Sequence, residues 1–172
     1  MSGSLLDVAF AHTAWATLRV IDACLDLSIE QLRTNVLGTR GPIIETLRHV
    51  VTGDAQDLFI LTGDPTFDVD FEDSSLPDLR VAMEGIGAGW SRFISSPIDP
   101  DAMVREVDST DGYERTAPVA FRLAGTLQHG TDHRSQVCTA LTSLGIEPPG
   151  IDVWEWAESI GRTHERQLDP TS

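Results

Sequence analysis

His129 and His133 stand four residues apart within the stretch from Thr126 to Gln136 (TLQHGTDHRSQ). On an α-helix that spacing sets two imidazoles over the same patch of surface, with Cβ atoms roughly 5–6 Å apart. A divalent metal bonded to each ring nitrogen at about 2.0–2.1 Å fits between them. The chemistry on offer is a helix-borne metal clip, incomplete without a third ligand. The bland alternative is a chance pair on a solvated face. Two other sets of groups offer less. Cys24 and Cys138 fall inside helical patterns without the paired spacing of a disulfide framework or zinc knuckle, and read as reduced core thiols. The acidic run Asp64, Asp68, Asp70, Glu72, Asp73 lacks the spacing and terminal glutamate of a calcium loop and reads as solvated chain.

The elements that must position the pair are helical. Apolar residues recur at helical spacing through four long segments separated by Gly, Pro and Asp clusters, so the class is all-α. The first runs from about Leu5 to Leu27 through Leu6, Phe10, Ala14, Leu18, Ile21 and Leu25. Ser28 to Gln31 (SIEQ) reads as a capping box opening a short extra turn. Pro42 suits the first position of a second helix, where its missing N–H removes a donor that would be orphaned anyway. That helix runs to about Leu61 and stops at Gly63-Asp64-Pro65. After a polar loop from Thr66 to Ser75, Pro77 opens a third helix through Met83, Ile86, Trp90 and Phe93 that closes before Pro97. Gly85, Gly87 and Gly89 weaken it by up to about 1 kcal/mol each relative to alanine, unless they serve close packing. Between Met103 and Ala117, Asp111-Gly112 favours the tight turn of a small β-hairpin. Pro118 starts the longest helix, which carries the histidine pair and ends at Gly145. A short helix over Ile151 to Glu158 is expected to pack across the bundle end, with a frayed tail from about residue 160.

At 172 residues this is about one domain, residues 1–172, with one core. Asp and Glu total 27 against 12 basic residues, all arginine, and the formal charge of −15 repels phosphate backbones and anionic membranes. Nucleic acid and membrane are therefore excluded as expected partners. Met1 to Asp7 has no basic segment ahead of an apolar run, and no window approaches the ~20 uninterrupted apolar residues of a membrane span. A soluble, cytoplasmic protein is the expectation.

Stepping about 100° per residue from His129, His133, Gln136, Ala140 and Arg122 fall within about 40° of it, away from the stripe of Leu123, Leu127, Cys138 and Leu141. On the second helix His49 also avoids the apolar stripe, with Gly53 and Gln56 beside it. These positions fit the edge of a groove, or plain solvated surface, better than a core. Arg122 is a candidate grip for a substrate carboxylate, against the commoner role of pairing with a nearby Asp or Glu. Gln136 is a candidate for substrate contact, or with Asp132 for orienting a ligand. Arg134 points roughly 140° away, which favours a structural ion pair, and Cys138 lies about opposite His129. His12 reads as packing, His164 as solvated, and the tryptophans at 15, 90, 154 and 156 as core fillers.

Taken together the residues resemble a family over nearly the whole chain: the DinB-like (YfiT-like) metal-dependent proteins. The matching features are Thr46 to Val50 (TLRHV), Gly53-Asp54, Leu58-Phe59, and His129 to Gln136, which is similar to the family's His-x-x-x-His-Arg-x-Gln signature. Leu144 to Pro149 and Asp152 to Trp154 look like the close of such chains. Ser135 stands where the usual pattern has glycine. The resemblance implies a four-helix bundle with a long crossover, often dimeric, and nickel or zinc held by three histidines, which here are His49, His129 and His133. Three neutral imidazoles leave a coordination place open, as in catalytic rather than structural zinc sites. The expected function is that of a metal-dependent enzyme on a small molecule, foremost a transferase or isomerase of a mycothiol- or bacillithiol-type thiol co-substrate. Thiol chemistry ranks first because no Asp or Glu is evidently placed as general base. A metal-dependent hydrolase, a non-catalytic binding protein of stress response, and a vestigial site on a dimerising bundle are the alternatives. No catalytic residue is assigned from the sequence.

Overall fold

The computed structural model describes residues 3–108, 112–164 and 166. Four long helices carry the core: α1 Leu5–Cys24, α3 Ile43–Thr62, α4 Leu76–Ile94 and α5 Val119–Ser143. The short α2 Ile29–Leu32 lies in the connection from α1 to α3, and α6 Val153–Ser159 follows α5. The strands β1 Met103–Asp108 and β2 Tyr113–Pro118 pair antiparallel, Val104 opposite Ala117 and Glu106 opposite Arg115. Asp111, half of the expected turn dipeptide, and most of the expected frayed tail lie outside the described residues. Among the described residues no helix is long and apolar enough to cross a membrane.

Around the bundle the order of contact is α1, α4, α3, α5 and back to α1. The first two long helices are therefore diagonal, and the chain needs the crossover through α2 to join them. Their packed faces are the apolar stripes: Val20 and Ile21 of α1, Leu47, Val51 and Leu58 of α3, Met83 and Trp90 of α4, and Val137 and Leu141 of α5 are all buried. Phe10 lies against Trp90 with ring centroids 4.5 Å apart.

The helix ends follow local chemistry. Ser4 with Asp7 and Ser28 with Gln31 form reciprocal capping boxes, as does Ser75 with Asp78. Each such cap is worth about 1 kcal/mol. Leu76 precedes Pro77 as the first residue of α4, one position earlier than the proline suggests, because Ser75 supplies the cap. Gly63 ends α3 at φ +68° and Gly145 follows α5 at φ +74°, the left-handed conformation that costs glycine least.

Two expectations need correction. The loop after α3 is not wholly polar: Pro65–Phe67 forms a 3-10 turn that buries Phe67. Gly89 makes room for it, since a Cβ there would sit 2.6 Å from Phe67 Cζ and 2.5 Å from Leu58 Cδ2. Of the tryptophans, Trp90 fills the core, but Trp154 on α6 is 72% exposed. The tail is anchored instead by His12, whose Nε2 lies 2.8 Å from the Ile151 carbonyl and whose ring neighbours Trp15 and Trp156.

Candidate metal centre

α3 and α5 are neighbours, and the three singled-out histidines meet along their seam. The ring centroids form a near-equilateral triangle, 4.7 Å between His49 and His129, 4.8 Å between His49 and His133, and 4.7 Å between His129 and His133. The planes are steeply inclined to one another, at 70°, 83° and 77°. One ligand atom from each residue lies within 4.8 Å of the others, and His129 Nε2 is 2.9 Å from His49 Nε2. Bonds of about 2.0–2.1 Å at tetrahedral angles separate donor nitrogens by roughly 3.4 Å. Three half-buried imidazoles whose donor atoms lie within 4.8 Å of one another can converge on one such ion by side-chain adjustment.

Local sequence explains why the rings can meet. Gly53 sits one turn beyond His49 on α3, and a Cβ there would lie 2.7 Å from His129 Cε1. The His129 ring thus occupies space that any other residue at 53 would fill. Within α5, Gly130 does the same for Arg134, whose Nη1 would be 2.6 Å from a Cβ at that position. Arg134 is buried and donates to the hydroxyls of Thr17 and Thr131. The structural ion pair expected of it is not a direct contact. Its charge faces Asp54, which is fully buried and whose carboxylate has no hydrogen-bond donor among the described residues. Burial outweighs the Arg134 charge and, with Asp57 adding to it, pushes the Asp54 pKa up to about 7.

Two of the imidazoles are held in a metal-ready protonation state. Burial first, then the positive charge of Arg40 and the two other rings, pushes the His49 pKa down to about 4. Burial also lowers that of His129, followed by the effect of His133. Both rings are therefore neutral at neutral pH, with a lone pair free. Gln136 fixes the tautomer of His133. Its Oε1 accepts the Arg40 backbone N–H at 2.9 Å, which identifies the atom as oxygen, and lies 3.1 Å from His133 Nδ1. An amide oxygen cannot donate, so Nδ1 carries the proton and the lone pair of a neutral ring resides on Nε2. Hydrogen bonds from the far nitrogen of a ligating histidine usually serve this orienting purpose.

Arg122 sits one end of this seam away, and its terminal nitrogens are taken up. Nη1 donates to Asp57 Oδ1 and Nη2 to Glu106 Oε2, each at 2.7 Å, with the Arg122 side chain only 13% exposed. Thr126 donates to the other Asp57 oxygen at 2.7 Å. The network pins β1 and α3 to α5. Cys24 is buried, its thiol pushed up to about 12 by burial and by its neighbour Cys138. His164 is exposed.

Reasoning from sequence missed two residues of the surroundings. Arg40, on the crossover, acts on His49 and His129 through its charge, and Arg48, one residue before His49, donates through Nε to the Ser74 carbonyl at 2.9 Å. Both line a cavity of about 420 Å³ that opens on His49 and is bordered by Asp70, Glu72 and Asp73. Part of the acidic run is thus a cavity wall rather than only solvated loop. No local signal marks Arg40, because its place depends on where the crossover lands.

Against known proteins, the sequence profile of the DinB family matches residues 1–166. No curated protein matches the chain.

Proposed function

The chain belongs to the DinB family, and from that premise we propose that it is a metal-dependent enzyme acting on a small molecule, with His49, His129 and His133 as the metal ligands. The single observation that carries this reading is the convergence of three half-buried imidazoles from α3 and α5 beside a cavity. Zinc and nickel both suit an all-imidazole donor set. Bound there, such an ion supplies a Lewis-acid position that lowers the pKa of a thiol or water ligand.

The chain's own groups orient and exclude. Gln136 holds the His133 ring with Nε2 inward, and Gly53 admits the His129 ring to the seam. Among the described residues no carboxylate hydrogen-bonds to any of the three rings. Asp57, the acid nearest in effect to His129, has both oxygens committed to Arg122 and Thr126. The carboxylates that line the cavity, Glu45, Asp70, Glu72 and Asp73, make no hydrogen bond to the rings, and a thiol ionises readily without a base beside it. This favours transfer or isomerisation with a low-molecular-weight thiol over hydrolysis. The proposal includes a cytoplasmic homodimer, which sedimentation at twice the chain mass checks.

The test is a panel of small thiols and electrophiles incubated with metal-free, Zn²⁺-loaded and Ni²⁺-loaded protein, with products identified by mass spectrometry. The expected result is a thiol adduct that requires metal and disappears in His129→Ala. Hydrolysed electrophile would instead support the hydrolase reading. Metal bound without any product across the panel would leave a binding protein in its place.

A further inference from the structure

Charge is arranged around the cavity on His49 in a way that deepens the functional reading. Arg80, Arg105 and Arg122 form ion pairs with carboxylates. Arg40 and Arg48 have no ion-pair partner among the described residues, although Glu45, Asp70, Glu72 and Asp73 line the same cavity. Among the described residues none of these carboxylates lies within 4 Å of an Arg40 or Arg48 nitrogen, so both signs of charge are open to a bound molecule.

Their placement is tied to the imidazoles. The backbone of Arg40 is fastened to Gln136, which also holds His133, while its side chain is exposed and without a hydrogen-bond partner among the described residues. The Arg40 charge is felt at both His49 and His129. Arg48 is fixed through Nε to Ser74, which leaves its two terminal nitrogens as donors. In the acidic loop Asp70 Oδ1 accepts the Glu72 N–H at 3.0 Å, so the acidic rim is a shaped turn.

We propose that this cavity is the substrate pocket and that it selects a small zwitterionic, amino-acid-like molecule, its carboxylate taken by Arg40 and Arg48 and its ammonium facing Asp70, Glu72 and Asp73. Guanidinium donors match a planar carboxylate, and the acidic rim repels phosphate esters of higher charge. A volume of about 420 Å³ is at the small end of the range for ligand sites. The inference rests on the thiol-transfer reading only for which atom faces the imidazoles, and the charge selection is separable from it.

The experiment is an NMR-detected titration of the full-length, Zn²⁺-loaded protein with two matched series. One comprises L-cysteine, N-acetyl-L-cysteine and L-cysteine methyl ester, and the other the corresponding serine compounds. Within each series the zwitterion is expected to bind about ten-fold more tightly than either blocked form. Arg40→Ala is expected to weaken the two carboxylate-bearing members about ten-fold, leave the methyl ester within two-fold, and keep the zinc content of wild type. Arg40→Lys restores part of the loss. Equal affinities across each series, an equal effect of Arg40→Ala on acid and ester, or no binding by either series overturns the proposal. If the charge ranking persists while cysteine gains nothing over serine, the thiol reading fails and the charge selection stands. If cysteine outbinds serine but the ranking vanishes, the reverse holds.

Discussion

Replacing Gly53 by alanine separates the stability of the bundle from the integrity of its metal centre. Gly53 lies inside α3, where alanine is favoured over glycine by about 0.5–1 kcal/mol through backbone entropy alone. The added Cβ would meet His129 Cε1 at 2.7 Å. Carbon atoms rest at roughly 3.5–4.0 Å, so the ring must retreat by about 1 Å. A side-chain ring can swing that far at little cost to folding. A ligand cannot, because metal–nitrogen distances tolerate only about ±0.2 Å. The expected variant melts at or above the wild-type temperature when metal-free, yet binds Zn²⁺ about 10- to 100-fold more weakly, the scale on which disturbed ligand shells fail. Competition with a chromophoric chelator measures the affinity, and a thermal melt in EDTA measures the fold. Gly85→Ala is the control: it lies in α4 with nothing within 4 Å of its Cβ, so it should gain stability without touching the metal. Zinc affinity within two-fold of wild type in Gly53→Ala would refute the argument that His129 is a ligand in the orientation described.

Asp54→Asn tests the buried carboxylate. Because burial raises its pKa from the ordinary 3.8 to about 7, the native state keeps a proton that the unfolded chain loses between those values. The stability this contributes is whole below pH 3.8, declines as pH rises towards 7, and is then flat, a loss of about 4 kcal/mol at most. Urea unfolding at pH 5 and pH 8 should show the decline in wild type and its near absence in the asparagine variant, and parallel slopes would count against the burial argument. Arg122→Met should cost about 1–3 kcal/mol in urea unfolding by freeing Asp57 and Glu106, with zinc stoichiometry unchanged. A loss of ligand binding at undiminished stability would restore Arg122 as a substrate grip. Gly89→Ala should destabilise by about 1–3 kcal/mol, read from the same curves, because Leu58 and Phe67 occupy the space of its Cβ.

The parts of the molecule legible in the sequence are those governed by local rules. Helical spacing, Pro42, Gly63, Pro118 and Gly145 place four long helices to within a few residues, and a hairpin stands between Met103 and Pro118 where the pattern changes. The histidine wheel positions put His49 and the His129–His133 pair at the rim of the core, where all three are half-buried. What escaped is whatever depends on contacts distant in sequence. Whether Arg122 meets a substrate or carboxylates turns on Asp57 and Glu106, 65 and 16 residues away. Gln136 is drawn to His133 by helical spacing, but its second partner is 96 residues off in the crossover. Phe67 reads as loop because its burial is created by a glycine on another helix.

Gln136 Oε1 has two lone pairs, and two N–H groups occupy them. Electron density drawn from the His133 ring makes its Nδ1 proton more acidic and its claim on that oxygen stronger, at the expense of the rival amide. The nitrogen-15 resonance of residue 40 is thereby a natural gauge of what happens on the far side of an imidazole it never touches, legible in solution without a dye, a label on the ligand, or any change to the seam itself.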